Sequence, residues 1–222
     1  MDEQSGLLEA IDFWGKTSPS KKALTFLNDS GAEVDALTYS EILARSNALA
    51  SHLRENVGLA KGSTCLLVYP PCLDFTVAYL ACLRAGVIAV PCFPPDPRRL
   101  KKDLHMFTAI QGSSGATVAL TSRSYNYAKK MSDIKSMFTG GAGWPELNWV
   151  VTDSLPLPKE GDSWTFDAPE AADVAFLQYT SGSTSEPKGV MITHDNLADN
   201  LRLIVTGLKA ADDTVVVGWL PQ

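Results

Sequence analysis

The stretch best equipped for chemistry runs Tyr179-Thr180-Ser181-Gly182-Ser183-Thr184-Ser185-Glu186-Pro187-Lys188-Gly189-Val190. Five of its first six residues are small or hydroxylic, so several backbone N–H groups are free to turn inward around an anion. Hydroxyls from Thr180, Ser181, Ser183 and Thr184 add donors, or a ligand for magnesium. Lys188 adds a mobile positive charge. Together these residue types suit a polyphosphate. A Walker loop is excluded, because it needs GxxxxGK followed by Ser or Thr and then a helix. Counted from Gly182, Pro187 stands where the second Gly belongs, Gly189 follows the Lys, and a predicted strand comes next. On residue types alone, a solvated Ser/Gly turn between two strands is an equal alternative.

The surrounding pattern must position this loop. Residues 7–16 read as a short helix, and Leu24–Asn28 and Val34–Leu37 flank the hairpin signal Asp29-Ser30-Gly31. Thr38 and Glu41 have capping-box spacing ahead of a helix that puts Ile42, Leu49, Leu53 and Val57 on one side. From Thr64, short apolar strands alternate with helices. Strands are expected at 64–69, 87–90, 116–121 and 147–151. Helices are expected at 74–85, closed by Gly86, and along the stripes Leu100/Leu104/Phe107/Ile110 and Tyr127/Met131/Ile134/Phe138. Strands apolar on both faces and separated by helices predict an α/β fold with a doubly wound, mainly parallel sheet, 64–69 lying beside 87–90. Residues 153–173, rich in proline, acid and glycine, read as a surface connection with one short strand at 164–166. Strands at 174–180 and 189–194 bracket the loop. A helix from Asn196 to Leu208, capped by Asp195-Asn196, and a last strand from Thr214 to Trp219 follow. The expected division is a first α/β subdomain at 1–152, a connection at 153–173, and the start of a second subdomain at 174–222.

Composition excludes several functions. The 222 residues are 45% hydrophobic and 20% charged, enough apolar surface to fold. The net charge of −6 and pI near 5.0 argue against a general grip on nucleic acid or an anionic membrane. Cys65, Cys72, Cys82 and Cys92 form no CxxC pair, and His52, His105 and His194 are scattered, so no zinc spacing exists. The reading is four buried free thiols in a cytoplasmic protein. The apolar stretch from Leu73 to Phe93 is interrupted by Asp74, Arg84, Gly86 and Pro91, so no membrane span is expected. His194 reads as structural, and the basic run Arg98, Arg99, Lys101 and Lys102 as a solvated helix start.

The run YTSGSTSEPKGVMITHDNL resembles the phosphate-binding signature of adenylate-forming enzymes, the superfamily of acyl-CoA synthetases, luciferases and peptide-synthetase adenylation domains. The likeness extends over nearly the whole chain. LTYSE at 37–41 looks like an early motif, residues 68–95 look like the core motif of the first subdomain, and GWLPQ at 218–222 looks like the opening of another. Phe93-Pro94-Pro95-Asp96-Pro97-Arg98, Leu177-Gln178-Tyr179 and the Ser183-Thr184 pair make the chain most similar to fatty acyl-AMP ligases. One departure is Ser185, where the family usually has Gly.

The resemblance implies two steps: a fatty carboxylate attacks the α-phosphorus of ATP, and the acyl group of the adenylate then passes to a thiol. It implies that Thr180, Ser181, Gly182, Ser183 and Thr184 cradle the β- and γ-phosphates. It implies further that Thr184 lies near Mg²⁺, that Lys188 neutralises charge and that Pro187 and Gly189 set the loop's shape. Trp219 either borders the acyl or nucleotide pocket or is a core residue. The implied partners are a fatty acid and an acyl carrier protein or CoA. A fatty acyl-CoA ligase and a non-catalytic acyl- or nucleotide-binding module are the alternatives. The intact Thr184 and Lys188 argue against the second of these. Because the chain stops inside a motif, it reads as an inactive N-terminal fragment that self-associates through its C-terminal part.

Overall fold

The computed structural model describes residues 6–96, 100–139, 143–156, 164–165, 167–180 and 187–218, with the side chains of 100–102 and 135–139 left out of account. The chain opens with helix α1 (Leu7–Thr17) and an antiparallel hairpin of β1 (Lys22–Leu27) and β2 (Glu33–Thr38). Helix α2 (Tyr39–Glu55) begins with the predicted capping box. The Glu41 N–H donates to Thr38 Oγ1 at 3.3 Å, and the Thr38 N–H donates to Glu41 Oε2 at 2.8 Å.

Alternation then follows: β3 (Thr64–Leu67), α3 (Leu73–Ala85), β4 (Ile88–Pro91), α4 (Leu100–Ser114), β5 (Val118–Thr121), α5 (Arg123–Thr139) and β6 (Asn148–Val151). Strands β7 (Val174–Thr180) and β8 (Lys188–Thr193) and helix α6 (His194–Gly207) complete the described elements. The six-stranded sheet has the order β6-β5-β3-β4-β7-β8. Its first five strands are parallel, β3 lies beside β4 as expected, and β8 alone runs antiparallel.

Strand pleating sorts the core. Cys65 and Leu67 of β3 enter a cluster with Ile42, Leu49 and Leu53 of α2 and Val77, Ala81 and Ala85 of α3. Leu66, Val68 and Val90 enter the other cluster, with Phe107 and Ile110 of α4 and Tyr125 of α5. The sheet is therefore covered on both faces, as a doubly wound fold requires. Gly86 closes α3 in the left-handed region at φ 64°, where Gly alone adds no strain. Buried Arg84 ties the first layer together, donating from Nε to Ser46 at 3.0 Å and from Nη2 to Asp12 at 2.6 Å.

Several expectations are corrected. Strand β3 stops at Leu67, not 69, although Val68 still donates to the Leu120 carbonyl at 2.9 Å, and Pro70-Pro71 then end regular pairing. Helix α5 forms, but its stripe residues Tyr127, Met131 and Ile134 are 67%, 51% and 52% exposed. The buried side is set by an aromatic cluster of Phe107, Tyr125, Trp144 and Trp149. Lys129 lies over the two indoles at 5.5 and 5.1 Å and donates to Asp133. Trp144 and Trp149 thus turn the helix away from its simple hydrophobic period. Trp164 and Thr165 form no strand, and Phe166 lies outside the described residues. Thr214–Gly218 pairs with no strand among the described residues, and Val215, Val216 and Val217 are exposed. Helix α6 is capped by Thr193, with Asn196 as its reciprocal partner, not by Asp195-Asn196. All four cysteines are free, but Cys72 and Cys92 are only partly covered by neighbours. Among the described residues no helix is long and apolar enough to cross a membrane.

Two measurements test this packing. Leu53 is fully buried in the first cluster, so Leu53→Ala should lower the unfolding free energy by about 2–5 kcal/mol. The urea midpoint should fall with an unchanged m-value. His194 opens α6 and is half-buried. Burial holds its imidazole below the usual value, and Lys61 adds to this, against the opposing pull of Asp173 and Glu9. The unfolded chain therefore binds this proton more readily than the folded one. Stability from this group is complete above about pH 6.5 and is lost as pH falls from there toward the lower folded value. The urea midpoint should drop between pH 7.5 and 5.5, and His194→Gln should flatten that drop.

Candidate functional site

Strand β7 carries the loop to the carboxyl edge of the sheet, where open α/β folds bind ligands. Its residues alternate. Phe176 meets Tyr79 edge-on, with ring centroids 5.7 Å apart, on the α3 side. Leu177 and Tyr179 pack against the cluster under α4 and α5. Strand β8 returns antiparallel, pairing Thr180 with Lys188, Tyr179 with Gly189 and Gln178 with Val190. Thr180 and Lys188 thus face each other across the two ends of the loop. Lys188 is exposed and pairs with no carboxylate among the described residues, while Pro187 beside it is buried. Of the predicted site residues, Thr180, Lys188 and Gly189 are brought together. Ser181, Gly182, Ser183, Thr184 and Trp219 lie outside the described residues.

Gly189 has a cause that residue types did not give. A Cβ there would lie 2.9 Å from Tyr179 Cζ, so the ring fills the space a side chain would need. Tyr179 Oη donates to Ser113 Oγ of α4 at 3.0 Å. The sequence marked Tyr179 only as part of the Leu177-Gln178-Tyr179 run entering the loop, and did not mark Ser113. The usable signal was the placement of Tyr179 and Gly189 one step outside the loop's ends, which becomes a contact only once the two strands pair as a hairpin.

The turn after β4 lies on the same edge. Tyr125 Oη donates to the Pro95 carbonyl at 2.6 Å, and the Asp96 N–H donates to Asp103 Oδ2 at 3.2 Å. Arg98 and Arg99, like the side chains of Lys101 and Lys102, lie outside the described set. His194 sits at the other end of β8, about 20 Å from the loop by strand rise, and its N–H donates to the Asp173 carbonyl at 3.0 Å. It belongs to the start of α6, not to the loop. Burial pushes the Cys92 thiol up to about 12, and that of Cys65 well above its usual value, so neither is a nucleophile at neutral pH.

A separate cavity of about 300 Å³ lies between α2, the start of α3 and the segment after β6. Several of its polar groups are bonded within the fold. Arg45 donates to Asp74 at 2.5 Å, the Arg123 N–H to Asp153 at 2.8 Å, and Thr152 shares a hydrogen bond with Tyr69 at 2.8 Å. Burial raises the Asp74 carboxyl, with Arg45 opposing. No group of three or more His, Cys, Asp or Glu among the described residues could hold a metal ion.

Residues 11–222 match the AMP-binding enzyme family. A medium-chain-fatty-acid–[acyl-carrier-protein] ligase of Moorena producens is 35% identical over 222 residues, which are 99% of this chain and 36% of that protein. A long-chain-fatty-acid–AMP ligase of Mycolicibacterium smegmatis is 30% identical over 221 residues, 98% of this chain and 33% of that protein. The chain thus spans about a third of the length of the curated relatives it matches. The crystal structure of a fatty acyl-adenylate ligase from L. pneumophila, in complex with acyl adenylate and pyrophosphate, aligns with a TM-score of 0.79 at 34% identity. That alignment covers 97% of this chain and 35% of that one. With an alternating α/β sheet, a Ser/Thr/Gly loop at its carboxyl edge and a match over residues 11–222, the chain belongs to the AMP-binding enzyme family.

Proposed function

We propose that the whole protein carrying this chain activates a fatty acid. A carboxylate oxygen of the fatty acid attacks the α-phosphorus of ATP, and the bond to the bridging oxygen breaks. Acyl-adenylate and pyrophosphate result. The acyl carbon then moves from adenylate to the phosphopantetheine thiol of a carrier protein, releasing AMP. The observation that carries this reading is the loop itself, closed between Thr180 and Lys188 at the sheet's carboxyl edge.

In this reading the amides and hydroxyls of Thr180, Ser181, Gly182, Ser183 and Thr184 hold the β- and γ-phosphates. Lys188 meets the charge that develops on the leaving pyrophosphate. Such transfers depend mainly on positioning and electrostatics, with little covalent work for the protein. Magnesium would neutralise phosphate charge when bound, with the Thr184 hydroxyl beside it. Trp219 borders the substrate pocket. Residues 174–222 open the second subdomain, although β7 shares the sheet of the first. A cytoplasmic location belongs to the same reading.

The test is ATP–pyrophosphate exchange in the whole protein with fatty acid and Mg²⁺. Lys188→Ala should slow exchange about 10- to 100-fold, less than the ~10²–10³ of a fixed oxyanion donor, because the lysine is exposed and flexible. Fatty-acid binding should change little, and Thr184→Val should raise the Mg²⁺ requirement. Unaltered exchange in both variants would remove the loop from the mechanism. Acyl transfer to CoA in place of a holo-carrier protein would correct the acceptor.

The 222-residue chain alone should give no exchange. It should self-associate through its exposed apolar residues Leu203, Ile204 and Leu208 of α6 and Val215–Val217, and through the edge strand β8, which pairs only with β7 among the described residues. Sedimentation of a strict monomer across the micromolar range would contradict that association.

A further inference from the structure

Strand β8 is the edge of the sheet and pairs only with β7 among the described residues. Lys188 and the second end of the loop therefore sit on the least supported strand of the sheet. Phe176 and Leu177 pack β7 against the core further down the strand, but at the loop end, among the described residues, one side-chain hydrogen bond joins this hairpin to α4. The Tyr179 ring occupies the space above Gly189, and its hydroxyl donates to Ser113 Oγ at 3.0 Å, in the last turn of α4. That turn is itself anchored. The carbonyl of the adjacent Ser114 accepts from Thr64 Oγ1 at 2.9 Å, at the start of the central strand β3. A continuous path thus runs from β3 through the end of α4 to Tyr179, one residue before Thr180 and directly opposite the residue after Lys188.

Resting on the reading of residues 180–189 as a phosphate site, we propose that Tyr179 and Ser113 are positioning residues for that site. Their hydroxyl pair holds the edge hairpin against α4. Gly189 is required because any side chain there would displace the ring that makes the contact. Neither residue touches phosphate in this scheme; both act through Thr180 and Lys188, whose placement the latch sets. An error of about 1 Å in a positioned group costs roughly 10² in rate at worst. One solvent-accessible hydrogen bond should be worth about three- to tenfold.

The experiment measures ATP–pyrophosphate exchange and thermal melting of the whole protein for Tyr179→Phe, Ser113→Ala, the double variant and Ser113→Thr. Each single loss should lower kcat by about three- to tenfold while the fatty-acid KM stays unchanged. The double variant should be no slower than the slower single, because both remove the same bond. Ser113→Thr, which keeps the hydroxyl, should restore the rate, and melting temperatures should stay close to wild type throughout. Unchanged kcat in both single variants, or losses that multiply in the double, would overturn the proposal. A wild-type protein silent in exchange would instead refute the phosphate reading. The latch is then decided by amide hydrogen exchange over β7 and β8. Faster exchange in both single variants supports it, and unchanged exchange overturns it.

Discussion

The strands of the parallel block are apolar on both faces, and the remaining architecture follows from that. In β3, Cys65 and Leu67 point into one core while Leu66 and Val68 point into the other, and all four are buried. Leaving either face bare would forgo about 25 cal/mol for each Å² of apolar surface. Helices must therefore cover both sides of the sheet. Helix-bearing crossovers supply that cover and return the chain to the same end of the sheet, which makes the strands parallel. Parallel strands bring their carboxyl ends, and the segments that leave them, to a single edge. The position of the candidate site is thus a consequence of how the core is filled.

At that edge the candidate loop differs from the commoner phosphate-binding arrangement in the element that follows it. In a strand–loop–helix arrangement the helix N-terminus points its free N–H groups and positive dipole end at the anion. Here the loop is followed by β8, and α6 begins only after the far end of that strand. Among the described residues no helix begins directly after the loop. Under the proposed function, phosphate would be held by the loop's own amides and hydroxyls and by Lys188, which the register sets opposite Thr180. This explains why the lysine lies just after the loop on a strand, where its side chain projects from an edge, instead of on the first turn of a helix. It also gives the proline-rich turn after β4 a structural reason. With Tyr125 bonded to Pro95, that turn is held on the same edge by the aromatic cluster.

Much of this was legible in the residues. Continuous apolar runs such as Cys65-Leu66-Leu67-Val68 mark strands buried on both faces, and Gly86 and the Thr38/Glu41 pair mark helix ends by local chemistry that tertiary contacts do not disturb. What failed depended on distant partners. The stripe Tyr127/Met131/Ile134 has a helical period, yet Trp144 and Trp149, brought in from beyond the helix, select Tyr125 and Lys129 as its covered side. Thr214–Gly218 has strand-forming residues but no ladder among the described residues, because strand propensity cannot supply a pairing edge. Asp195-Asn196 offered capping side chains, but Thr193 took the cap because β8 ends there with the extended backbone an N-cap needs. The loop's composition was plain in the sequence. Its closure as an antiparallel hairpin, and therefore the Tyr179–Gly189–Ser113 contact, was not, since residues 113 and 179 meet only through the fold.

The central claim is that the loop between Thr180 and Lys188 receives the phosphates. It is tested most directly by titrating the ¹⁵N-labelled chain with magnesium pyrophosphate and following each backbone amide. Affinity should be weak, because adenine and ribose contacts are absent from this ligand, so millimolar concentrations are needed. The account predicts saturable shifts centred on Thr180, the 181–187 loop, Lys188 and Gly189, abolished by Lys188→Ala, with the amides around Arg45 and Asp74 unmoved. Shifts centred on that α2–α3 cavity, or saturation unaffected by Lys188→Ala, would contradict it.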